Sequence, residues 1–150
     1  MSKLTRIRIL AIEAIRQAIV LLPKHGLCRP SDWTGLADRR LTICLALELA
    51  ADYAVSEITG GAELLPRVTD EAILLVMRQV SRANGSNALL QLQALKPQTA
   101  LGRHQQADAL DAWQERITSV GVVIIVLQRA GQLTSDMPQP SAQALAGDAA

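Results

Sequence analysis

Phenylalanine is missing from this 150-residue chain, which carries two tryptophans and a single tyrosine. A core without large rings has to be filled by aliphatic side chains, and small or straight ones suit helices packed closely on one another. Cysteine is scarce too: Cys28 and Cys44 are too few for a disulfide framework. Lys3, Arg6 and Arg8 precede an apolar stretch, but Glu13, Arg16 and Gln17 interrupt what would be the hydrophobic heart of an export signal, so the expected location is the cytoplasm. The longest run free of polar side chains, Val120–Leu127, falls far short of the roughly 20 residues that span a bilayer, and no membrane partner is expected.

An excess of charge is also lacking. Fifteen basic and 14 acidic residues leave a formal net charge of +1, which calls neither for nucleic acid nor for an acidic surface. Arginines outnumber lysines twelve to three, a bias that fits a GC-rich bacterial or phage gene better than a binding signal. What the chain does have is apolar content: 49% of residues are hydrophobic against 19% charged, enough to fold as one domain. A mean hydropathy of +0.19 is high for a small protein and points to further burial against a second copy or a partner.

The apolar residues recur at helical spacing. Ile12, Ile15, Ile19 and Leu22 line one side of a first helix expected from Lys3 to Leu22, capped by Ser2 and ended by Pro23 and Gly26. A second, from Leu36 to Ile58, would bury Ile43, Leu47, Ala50, Ala51, Ala54 and Ile58, turn Thr42, Glu48, Asp52 and Ser56 outward, and stop at Gly60 and Gly61. Pro66 marks a loop, after which Thr69 caps a third helix with Asp70 and Glu71 in its first turn and Val68 stapled on Ile73. Asn84 and Gly85 close that helix. A short fourth helix is expected over Ser86–Lys96.

The fifth and longest helix is expected from Arg103 to Ala130. Leu110, Trp113, Ile117, Val120, Ile124 and Leu127 alternate in steps of three and four along it, the pattern of a heptad seam. Val120–Leu127 is also rich in β-branched residues beside Gly121, so a buried strand competes there. The fold expected is therefore all-α: a compact bundle of about five helices over residues 1–131, with a long C-terminal helix and a disordered tail from 132 to 150.

Chemistry-bearing residues are few. His25 and Cys28 stand at a spacing that lets both reach one metal, with Cys44 and His104 to complete a set, yet no second ligand pair accompanies them, and no metal or cofactor is expected. A metal or thiol enzyme using His25, Cys28 and His104 is the least favoured reading, since nothing marks a nucleophile oriented by a base. Arg78 and Arg82 with Asn87 and Gln91 would form a helix-turn-helix-like DNA reader around Gly85. That reading lacks basic residues at the start of its second helix to grip phosphates.

Asp108, Asp111 and Glu115 form an acidic strip beside Trp113, in which an aromatic contact adjoins charge suited to a basic protein. The favoured expectation is a non-enzymatic protein that binds another protein or complex as an adaptor, chaperone or inhibitor. Homo-oligomerisation through Leu110, Trp113, Ile117, Val120, Ile124 and Leu127 would be its second use of the last helix.

Overall fold

A computed structural model describes residues 2–35, 37–84, 100–117 and 119–132, with backbone alone at 81–84 and 100–105. Five helices account for most of these residues: α1 (Lys3–His25), α2 (Ile43–Ser56), α3 (Leu65–Asn84), α4 (Ala100–Gln114) and α5 (Val120–Gln132). Short 3-10 turns cover Pro30–Asp32 and Gly61–Leu64, and the described residues contain no strand beyond one parallel bridge, Leu27 to Leu41. No helix among them is long and apolar enough to cross a membrane. The short helix expected over Ser86–Lys96 lies outside the described residues, as does the tail expected over 132–150 except for Gln132, which is helical.

Helix α1 starts as its sequence dictates. The Ser2 hydroxyl accepts the amide of Thr5 at 3.1 Å, satisfying one of the donors that a helix start leaves free. Its end lies three residues beyond the expected one: Pro23 is carried inside the last turn, and Gly26 closes the helix at φ 89° with its amide on the Leu22 carbonyl at 2.8 Å. The buried face is Ile7, Leu10, Ala11, Ala14, Ile15, Ala18 and Leu22, with Ile12 and Ile19 at its margin. Alanines, which the sequence pattern does not mark as strongly as isoleucine, let α2 come close with its own Ala46, Ala50 and Ala51.

The expected start of the second helix is corrected. Residues 37–41 are not helical because Asp38 gathers the backbone and hydroxyl of Thr34 and the backbone and guanidinium of Arg40, with Arg40 at 3.0 Å. Side-chain bonds of this kind offer the backbone an alternative to the helix. Leu41 is then drawn to the end of α1, its amide on Gly26 and its carbonyl on the Cys28 amide. Thr42 becomes a buried cap instead of an outward mid-helix residue, accepting the Leu45 amide at 3.1 Å.

The third helix also begins elsewhere. Leu65 opens it and Pro66 sits in its first turn, where a missing N–H costs nothing. Thr69, expected as the cap, instead donates its hydroxyl back to the Leu65 carbonyl at 3.0 Å, and Asp70 and Glu71 are no longer in the first turn. Every residue from Ala72 to Met77 is buried, because α3 packs against all four other helices. Arg8 of α1 reaches Glu71 at 3.4 Å across that packing.

The single long C-terminal helix is not what the chain forms. After Gln114 the ladder tightens, with Arg116 bonded to Trp113 and Ile117 to Gln114, and a new helix starts when Val123 takes the Ser119 carbonyl. Val120–Leu127 is helix rather than strand, and α5 runs through Gly131 to Gln132. The break shifts the phase of burial: Val123, Val126, Leu127 and Ala130 face inward, while Val120 and Ile124 are only half-buried. The apparent seam is therefore divided between two separate helices, with Ile117 between them, and only Leu110 and Leu127 of its six residues are fully buried within the chain.

Candidate functional site

Two adjacent residues at the end of α4 hold three parts of the protein together. Gln114 is wholly buried; its Nε2 donates to the Cys28 carbonyl at 2.7 Å, and its Oε1 accepts the Ile43 amide at 2.9 Å. A side-chain amide can serve a donor and an acceptor at once, which neither a carboxylate nor an aliphatic group can do at neutral pH. Glu115 then turns the other way, one oxygen on the Ser31 amide at 2.6 Å and the other on the Ser31 hydroxyl at 2.8 Å. The segment between α1 and α2, the first turn of α2 and the end of α4 are thereby tied to one another.

With α4 so fixed, its outer side lies along α2. The Cys44 thiol donates to the Ala107 carbonyl at 3.8 Å, and Asp111 stands one helical turn beyond Ala107. Asp108 is exposed, Asp111 half-buried, and Glu48 and Asp52 are on the exposed side of α2. Burial, then Asp108 and Glu115, hold the Asp111 carboxyl above the usual carboxylate range, although the neighbouring Cys44 thiol opposes this. Glu48, although exposed, is partly desolvated by its neighbours, and this and Asp111 raise its carboxyl too. No base occurs in the sequence between Leu41 and Pro66, whereas Glu48, Asp52, Glu57 and Glu63 do. The ion pairs formed by Arg8, Arg16, Arg29 and Arg40 all go to other carboxylates.

The acidic strip expected from sequence is thus modified in two ways. Asp108 and Asp111 remain, and Glu48 joins them from α2, with Asp52 exposed one helical turn beyond it; Glu115 is already engaged by Ser31. Trp113 is half-buried and packs against the core. Trp113→Ala should consequently lower unfolding free energy by about 2 kcal/mol, somewhat less than truncation of a fully buried ring, as read from urea denaturation.

The remaining sequence candidates are scattered. His25 is half-buried in the last turn of α1, where a cation favours the helix dipole, and Cys28 is buried with its thiol on the Arg29 carbonyl at 3.3 Å. Burial pushes the Cys28 thiol up, and Cys44 is pushed up much further by burial and by Asp111, Glu48 and Asp108. Both settings oppose thiolate formation, whereas reactive cysteines sit in electropositive ones. No group of three His, Cys, Asp or Glu among the described residues could hold a metal. Arg78 is exposed on α3; the side chains of Arg82 and His104, and all of Asn87 and Gln91, lie outside the described residues.

Sequence reasoning missed Gln114, the residue with the most consequential contacts. Its only signal is a polar side chain on the line Gln106, Leu110, Gln114, spaced four apart on the inner side of α4. Comparisons with protein families, with curated proteins and with solved structures find no match for this chain.

Proposed function

We propose that this chain is a non-enzymatic protein-binding protein that docks a basic partner on the acidic face formed by α2 and α4. The observation that supports it is the set Glu48, Asp52, Asp108 and Asp111, which brings like charges together with no ion pair to a cation among the described residues. Carboxylates that repel one another in the free protein gain most from a cationic ligand, so the face favours a lysine- or arginine-bearing surface over a neutral one. Adaptor, chaperone and inhibitor are all roles such a face can fill.

Affinity capture from a native lysate with mass spectrometry, followed by charge reversal, tests the reading. Asp52→Lys combined with Asp108→Lys alters two exposed residues and should leave circular dichroism unchanged. The captured partner should be basic, its affinity should fall tenfold or more in the variant, and wild-type binding should weaken as salt rises. Capture that survives both charge reversal and salt would remove this face as the docking site.

A further inference from the structure

Helix α2 is apolar on two sides. Ile43, Leu47, Ala50, Ala51 and Val55 form its inner side, in the core. Leu45, Leu49 and Tyr53 stand one helical turn apart on its outer side, in a line about 12 Å long at the usual helical rise. Leu45 and Leu49 are half-buried, and Tyr53 is 51% exposed. A surface helix ordinarily turns polar residues outward, so an unbroken apolar line there is a surface suited to being covered.

The residues bordering the line carry one sign of charge. Glu48 and Asp52, both exposed, run beside it on the flank toward α4; Glu48 stands one turn beyond Cys44, whose thiol reaches the Ala107 carbonyl of α4 at 3.8 Å. The exposed Asp108 of α4 continues that sign, and the exposed Glu57 follows Tyr53 by one turn. No Lys, Arg or His occurs in the sequence between Leu41 and Pro66. A second copy seated on the same line would bring two all-acidic flanks together, which repel. The described residues offer no edge strand to pair with an extended peptide. The complement of this surface is a helix: its own apolar residues recur at the pitch of the line, and lysines or arginines beside them answer the carboxylates.

We propose that Leu45, Leu49 and Tyr53 are the seat for a basic amphipathic helix of another protein, laid along α2 with its cations over Glu48, Asp52 and Asp108. The seat rests on the docking role of the α2–α4 face and names what docks there. Tyr53 is the anchor, because its ring covers a large apolar area at small entropic cost while its hydroxyl stays at the wet rim. The carboxylates attract the helix and select its sign of charge, and the apolar line fixes its register.

Two synthetic peptides of about 18 residues, roughly 27 Å long as helices, test the seat. One gathers leucines on one side of the helix with lysines flanking them; the other has the same composition in an order that scatters the leucines around it. Calorimetric titration into the full chain compares wild type, Tyr53→Ser and Tyr53→Phe at low and moderate salt. The striped peptide should bind wild type about tenfold or more tighter than the scattered one, and Tyr53→Ser should erase that preference while Tyr53→Phe keeps it. Salt should weaken both peptides but leave the preference, because apolar burial is not screened. Equal affinity for the two peptides, unchanged by Tyr53→Ser, would overturn the seat and leave docking of a basic partner standing. Failure of both peptides to bind, or binding indifferent to Asp52→Lys with Asp108→Lys, would remove the docking role as well. A wild-type chain that light scattering finds dimeric, with Tyr53→Ser monomeric, would assign the line to self-association and overturn the seat.

Discussion

Gln114→Leu should lower the unfolding free energy by about 3 to 5 kcal/mol, a large part of the 5 to 15 kcal/mol that domains of this size possess. Leucine keeps most of the volume but strands two buried backbone groups, the Cys28 carbonyl and the Ile43 amide, each of which costs about 1 to 3 kcal/mol without a partner. The first turn of α2 and the chain after α1 would also lose their common point of attachment to α4. Gln114→Glu separates the two contacts. Its carboxylate can accept from Ile43 but repels the Cys28 carbonyl, so the variant should be unstable at neutral pH and recover part of the loss in acid, where a protonated carboxyl donates again. Urea denaturation at two pH values checks both, and an unfolding midpoint for Gln114→Leu within error of wild type would refute the clamp.

The two adjacent glycines between α2 and α3 should respond very differently to alanine. Gly60 adopts φ 74°, in the left-handed region, but faces open space, so Gly60→Ala should cost only about 1 to 2 kcal/mol of backbone strain. At Gly61 the obstacle is contact: a Cβ there would run into the Val55 carbonyl oxygen and sit 3.1 Å from the Val55 Cβ. That carbonyl already takes the Ile58 amide at 3.1 Å and belongs to the last turn of α2, so it has little freedom to move aside. Gly61→Ala should therefore cost about 3 kcal/mol, the upper part of the usual range for overpacking. Equal midpoints for the two variants in urea would show that the turn is looser than described.

Helix identity could be read from the chain because burial repeats at helical spacing in α1, α2 and α3, and the Ser2 cap and the inner positions Ile43, Leu47, Ala50 and Ala51 follow directly from it. Boundaries were less legible where side chains compete with the backbone. Asp38 removes nearly two turns from the expected second helix, and Pro66, expected in a loop, instead sits in the first turn of a helix, where its missing N–H costs nothing. The apparent continuity of the last helix misled for a related reason. Steps of three and four between Trp113, Ile117 and Val120 are compatible with one helix, but spacing carries no information about whether Gln114 and Glu115 are drawn out of line by partners more than seventy residues away in sequence.

The acidic strip was half legible. Asp108 and Asp111 share a side of α4 by their spacing, so that half was visible in the chain. Glu48 joins them only through the packing of α2 on α4, and the loss of Glu115 to Ser31 is a long-range contact that no local pattern announces. Gln114 was invisible for the same reason: its importance lies in two distant backbone groups, the Cys28 carbonyl and the Ile43 amide, that it satisfies.

Amide hydrogen exchange along the whole chain, measured with and without a lysine- and arginine-rich helical peptide at low salt, bears most directly on the central claim that α2 and α4 jointly present a cation-docking face. Added protection should fall on the stretches around Glu48–Asp52 and Asp108–Glu115 and disappear in the Asp52→Lys, Asp108→Lys variant. Protection centred instead on α1 or α5, or unchanged by charge reversal, would contradict it.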